Sequence, residues 1–208
     1  MENLPSQFFV YPYMKRILQF LLFLVITQKA ICQQSNLDQF NIERQKISKT
    51  GLKVLTAYSL ANVLYGSIAS SQSGSGSDKY FHKMNAIFNG ITLGFVGIGF
   101  IMAKKEGNSY GSSLTQQANI EKLFLFNAGL DIAYFAGGAY MKERSKTSTT
   151  NASRQLGYGE SIMLQGVVLF LFDGIMYSIH HHHGKNLIKM AENIRLTAAN
   201  GIGVAVNF

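Results

Sequence analysis

Four apolar stretches divide this chain, at about 52–72, 84–102, 123–141 and 160–180, and each is crossed by polar residues at regular intervals. An apolar helix of about 20 residues spans the hydrocarbon core of a bilayer, so the pattern predicts four transmembrane helices. Helical phase, at about 100° per residue, gathers the polar positions of each stretch onto one face. Tyr58, Asn62, Tyr65 and Gly66 share a face on the first; His82, Asn85, Asn89, Thr92 and Gly99 do so on the second. Asn127, Asp131, Tyr134, Gly138 and Met141 share one on the third, and Gln165, Asp173, Tyr177 and His180 on the fourth. Unsatisfied polar groups are costly in lipid, so the four faces are expected to turn inward and form one polar seam. The predicted fold class is all-α, a four-helix transmembrane bundle.

Depth within the seam follows from the rise of about 1.5 Å per residue. Counted from the side of the two hairpin loops, Tyr65, Tyr134, Asn89 and Gln165 come first, then Asn62, Thr92 and Asp131, then Tyr58, Asn127 and Asp173. Asp131 and Asp173 differ by only ~4–5 Å on this scale, close enough for one carboxyl to carry a proton and share it with the other. The two halves of the chain also overlay. Tyr58–Tyr65 can be laid on Asn127–Tyr134, matching Asn62 with Asp131, and Asn89–Gly90 on Gln165–Gly166, a parallel repeat of two helical hairpins.

The flanks differ from the apolar core. Met14-Lys15-Arg16, the run Ile17–Ile26 and Ala30-Ile31-Cys32 read as the basic, apolar and cleavage regions of a signal peptide over residues 1–32, with Met14 a better start than Met1. An uncleaved anchor is the alternative. Residues 33–51 form a polar lead-in in which Leu37, Phe40 and Ile47 fall on one side of a helix, which fits an interfacial segment or equally a solvated lead-in helix. Ser70–Asp78, Lys104–Lys122 and Lys142–Arg154 read as connections. Residues 184–208 are a polar tail, in which Ile194–Ala198 and Ile202–Phe208 alternate about Asn200-Gly201 like a β-hairpin.

Composition sharpens this picture without changing it. Charged residues are 14% of the 208-residue chain, below the ~25% of ordinary soluble domains, and they collect between the apolar stretches. The net charge of +8 therefore belongs to loops and tails, where it suits anionic lipid headgroups. No basic stripe is interleaved with aromatics, so no nucleic-acid partner is expected. The single cysteine excludes a disulfide framework.

The candidate ligand- or proton-binding residues are Asp131, Asp173, Asn127, Gln165, Asn62, Asn89 and Tyr134. An ionisable residue inside a membrane helix is a functional-site hypothesis by default; the structural alternative is a satisfied polar core that fixes helix register. No metal and no cofactor are expected. His180 and His183 are weak metal candidates, because four adjacent histidines point around a helix and only these two share a side. His82 sits across the hydrocarbon core from them, about 30 Å away. The run His180–His183 is expected to mark where the fourth helix leaves the membrane. Membrane desaturases carry several spaced histidine clusters, whereas this chain has one. Intramembrane aspartyl proteases carry Tyr-Asp before Gly-x-Gly-Asp; here Gly129-Leu130-Asp131 precedes Phe172-Asp173, so neither motif nor order agrees. An enzyme is not expected.

Phe81-His82-Lys83-Met84-Asn85, Asn127–Tyr134, Gly157-Tyr158-Gly159, Gln165-Gly166 and Phe172-Asp173 together resemble an uncharacterised bacterial family of small multi-span membrane proteins, a domain of unknown function. The resemblance covers Leu52–His183 and implies an extracytoplasmic lead and several spans, with no assigned activity. The expected molecule is an integral protein of the bacterial cell membrane with both termini extracytoplasmic. Its seam binds a small polar ligand, a lipid headgroup or a proton. Alternatively it is a structural or assembly partner in an envelope complex, or a homo-oligomer, with no ligand site.

Overall fold

Four helices make up nearly all of the computed structural model, which describes residues 10–102, 109–192, 195–198 and 202–205. They are α1 (Val10–Gln72), α2 (Ser77–Met102), α3 (Tyr110–Ser145) and α4 (Ala152–Glu192). Two short strands follow, β1 (Arg195–Ala198) and β2 (Ile202–Ala205), paired antiparallel with Arg195 opposite Ala205. The Asn200-Gly201 turn, residues 206–208, residues 103–108 of the central connection and the first nine residues lie outside the described residues. The chain divides into two units, Met1–Phe40 and Asn41–Phe208, and the helical architecture below is that of the second.

Local sequence sets the helix ends. Ser109 caps α3 through the Ser112 amide while the Ser112 hydroxyl accepts from the Ser109 amide, and Lys142 and Arg144 in the last turn complement the helix dipole. Asp78 lies in the first turn of α2, at the end that favours an acidic residue. The Ser/Gly-rich stretch forms the short turn between α1 and α2.

Helix direction follows from the contacts. Gly66 of α1 rests on His82 and Ala86 of α2, and Leu52 lies against Gly99, so these two helices are antiparallel. On α4, Gly157 meets Ser77 and Phe81, whereas Met176 fits against Gly51 and His180 lies by Ser48. Helix α4 is therefore parallel to α2 and antiparallel to α1. It is also antiparallel to α3, since Gly138 meets Gly159 and Gln117 meets Gly184. The result is an up-down-up-down bundle in which α4 touches every other helix. Its approach to α3 is close at Gly159, where a Cβ would stand 2.6 Å from the Gly138 carbonyl oxygen and 2.8 Å from the Lys142 nitrogen. Only a residue without a side chain lets two backbones meet like this.

Polarity within the bundle is inverted. Asn85, Asn89, Gln165, Asp131, Asp173, His180 and Arg44 are buried, while Ile91, Phe95, Phe126, Ile132, Leu171 and Ile175 are exposed. Soluble domains bury apolar residues and leave charged ones outside.

The helices run across several of the expected segment limits. Helix α1 runs without a break from Val10 through the lead-in to Gln72, because nothing between residues 33 and 51 breaks a helix even though the composition there changes. The connection read at Lys104–Lys122 is helical from Tyr110, and α4 continues beyond the fourth stretch to Glu192. Among the described residues, two helices are long and apolar enough to cross a membrane: Ser77–Ile101, with mean hydropathy 1.6, and Ala152–Met190, with 1.8. Only 22% and 28% of those windows is buried in the chain, unlike the core helix of a soluble protein. The stretches at 52–72 and 123–141 fall short because their inward-facing polar residues, among them Asn62 and Asp131, dilute their apolar faces.

Candidate functional site

The seam is built in three levels. Nearest the hairpin loops, α1, α2 and α4 contribute a closed ring of hydrogen bonds. The Tyr58 hydroxyl donates to Gln165 Oε1 at 3.0 Å, and the Gln165 amide donates in turn to Asn85 Oδ1. Asn85 Nδ2 donates to Asn62 Oδ1 at 2.8 Å, and Asn62 Nδ2 returns to the Tyr58 carbonyl at 2.9 Å. Asn89 secures the ring by donating to the Asn85 carbonyl at 2.9 Å. Every donor points the same way round, which polarises each bond in favour of the next.

At the middle level α3 meets α4. Gly166 brings the two backbones together at Asp131 and Phe135. Just beyond, Asp131 and Asp173 are both buried with their carboxyl groups near enough to interact. Ionised carboxylates are acceptors only, so the two can bond only when one proton lies between them. Asp131 Oδ2 is buried with no protein partner.

The third level lies at the opposite end and is ionisable. Arg44, 2% exposed, donates to the Ser113 carbonyl at 2.9 Å and to Gln116 Oε1 at 2.6 Å. His180 is fully buried; its Nε2 lies 3.3 Å from the Ser48 hydroxyl, its ring stacks on Phe124, and its carbonyl accepts from Gln117 at 2.6 Å. His181 Nδ1 meets Glu121 Oε2 at 3.1 Å, and His183 Nδ1 stands 3.9 Å from Glu43 Oε2. No group of three or more His, Cys, Asp or Glu residues fit to hold a metal occurs among the described residues.

The candidates drawn from sequence are thus divided. Asn62, Asn89 and Gln165 belong to the amide ring with Asn85 and Tyr58, whose long side chain reaches Gln165 from the deeper level assigned to it. Asp131 and Asp173 form the pair. Asn127 is half-buried one turn before Asp131. Tyr134 leaves the seam: it is 39% exposed and sets its ring edge-on to Phe88 at 5.3 Å. His180 and His183 are buried inside the bundle, not at its surface. Arg44, Ser48, Gln117 and Glu121 were not among the candidates, because the segments that carry them read as lead-in and connection. Extending the helical phase back from Asn62 through Leu55, Gly51 and Ser48 reaches Arg44, and back from Asp131 through Phe124 reaches Gln117.

The overlaid halves do not share partners. Asn62 bonds to Asn85, whereas its counterpart Asp131 meets Asp173, which overlays Gly97. An open cleft of about 220 Å³ lies away from the seam on the loop side, lined by Ser75, Tyr80 and residues 149–154.

Comparison with protein families matches residues 54–174 to the Family of unknown function DUF6992, and the chain belongs to that family. No curated protein and no solved structure matches it. The matched residues contain the whole amide ring and both aspartates, while Arg44, His180 and His183 lie beyond them.

Proposed function

From a member of that family with this interior, we propose an integral membrane protein whose buried carboxyl pair, Asp131 and Asp173, takes up and releases a proton. The observation that carries the reading is the closeness of the two carboxyls inside a bundle whose outer surface is apolar. All four helices cross the bilayer in this reading. Helix α3 turns Phe126, Ile132 and Phe135 outward over the same length in which it turns Asp131 inward, and α1 does so with Leu60, Leu64 and Ile68. Residues 1–32 act as the leader, and the chain ends on the extracytoplasmic side of a cell membrane.

A proton fits the pair better than a larger ligand does. The side chains of the ring are hydrogen-bonded to each other, and α3 and α4 are in backbone contact at Gly166, so the middle level is packed by the protein itself. The test is genetic. Asparagine at both positions keeps the shape and hydrogen bonding of the pair but cannot exchange a proton near neutral pH. Asp131→Asn with Asp173→Asn is expected to give a folded, membrane-resident protein that no longer complements a deletion strain. Full complementation at normal abundance sinks the reading.

The closed amide ring favours a second reading, in which the seam only fixes helix register and the molecule is an assembly partner. Deleting residues 195–208 would then reproduce the deletion phenotype while the double asparagine variant remains active.

A further inference from the structure

A proton that joins a buried pair needs a route, and the two sides of the pair differ. Toward the hairpin loops stands the amide ring, made of three amides and a phenol, none of which changes charge near neutral pH. Toward the other end the buried stripe of α4 continues through Met176, His180 and His183. Met176 is taken up by the notch at Gly51 of α1 and the half-buried Tyr177 stacks on His181, so the next fully buried polar group along the stripe is His180. Two helical turns, about 10 Å of axial rise, separate it from Asp173. His180 is fully buried, and its Nδ1 has no protein partner. Around it stand Arg44 and Ser48 from α1, Gln117 and Glu121 from α3, and His183 from its own helix, with Glu43 beside His183 and His181 beside Glu121.

We infer that His180 is the relay through which the carboxyl pair exchanges its proton with water at the Arg44–Glu121 end, and that the pair is open to that end alone. The inference rests on the protonated pair proposed above. In the exchange, a proton leaves a carboxyl oxygen of the pair, crosses the interval on bridging water and binds Nδ1. The Nε2 proton departs past the Ser48 hydroxyl toward the end of the bundle. Return of the ring to its first tautomer leaves no net charge, so one proton has moved.

The relay is tested by following deuterium exchange of the protonated-carboxyl infrared band after full-length protein in lipid vesicles is mixed with heavy water. Exchange is expected to slow at least tenfold in His180→Gln, with the band itself unchanged. It is expected to slow equally in His180→Ala and to recover when imidazole is added, and this arm decides the matter should the glutamine variant fail to fold. Exchange at the unsubstituted rate in His180→Gln, or in His180→Ala without imidazole, overturns the relay while leaving the pair intact. Absence of the band from the unsubstituted protein overturns the pair and the relay with it.

Discussion

The two ends of the polar seam are built from different chemistry. The ring of Tyr58, Asn62, Asn85 and Gln165 closes on itself with neutral groups, each donor spent on the next acceptor. The far end, with Arg44, His180, His183 and Glu121, collects groups that carry or change charge; buried polar atoms without protein partners occur at both ends, His180 Nδ1 and Gln117 Oε1 here and Asn89 Oδ1 and Ser59 Oγ beside the ring. A closed neutral ring fixes the positions of three helices and admits nothing. A buried ionisable cluster holds groups that can exchange protons. The carboxyl pair lies between them, so it faces a closed neutral ring on one side and an ionisable cluster on the other.

Substitutions can break this contrast, and the largest effect is expected where backbones touch. Gly159→Val would force a branched side chain against the Gly138 carbonyl and the Lys142 nitrogen, which cannot rotate away. Overpacking typically costs about 1–3 kcal/mol, and a rigid obstacle puts this case at the top of that range or beyond. Thermal unfolding in detergent should show little folded protein, with both ends lost together. Next comes Gln165→Leu, which opens the ring and strands Tyr58 and Asn85. Buried groups left unpaired cost about 1–3 kcal/mol, so the melting temperature should fall while the infrared signature of the carboxyl pair persists. Loss of that signature would show that the ring also shapes the pair.

Arg44→Met tests the other end. It removes the bonds to Ser113 and Gln116 but keeps an apolar stem, so a smaller loss of about 1–2 kcal/mol is expected for the freed acceptors. The rate of proton exchange should change more than the stability does. The smallest effect is expected at Gly94, where a Cβ meets nothing within 4 Å. Gly94→Ala should leave both ends untouched and raise helix stability by less than about 1 kcal/mol. A large loss there would reveal a partner on the outer face of α2.

How far this interior is legible in the sequence depends on whether a helix keeps its character along its length. Asn85, Asn89 and Gln165 lie inside apolar stretches, so helical phase alone turns them inward, and the same phase brings Asp131 and Asp173 to neighbouring depths. The ionisable end resists such a reading. Arg44 and Gln117 belong to polar segments, where hydropathy contrast vanishes and an inward stripe looks like a solvated face. The four histidines mislead too: helical phase pairs His180 with His183, but a polar run at the end of an apolar stretch reads as an exit from the membrane, whereas their shared side is buried and His181 and His182 stand outside it. Tyr134 errs the other way: at the rim of the polar face its ring turns out to Phe88, a choice set by the neighbouring helix.

The protonated carboxyl pair is tested most directly by the infrared spectrum of the unsubstituted protein in lipid at neutral pH, compared with Asp131→Asn and Asp173→Asn. A shared proton predicts a carboxylic-acid carbonyl band that shifts or disappears in each single variant. Carboxylate bands alone, unchanged in type by either substitution, would contradict it.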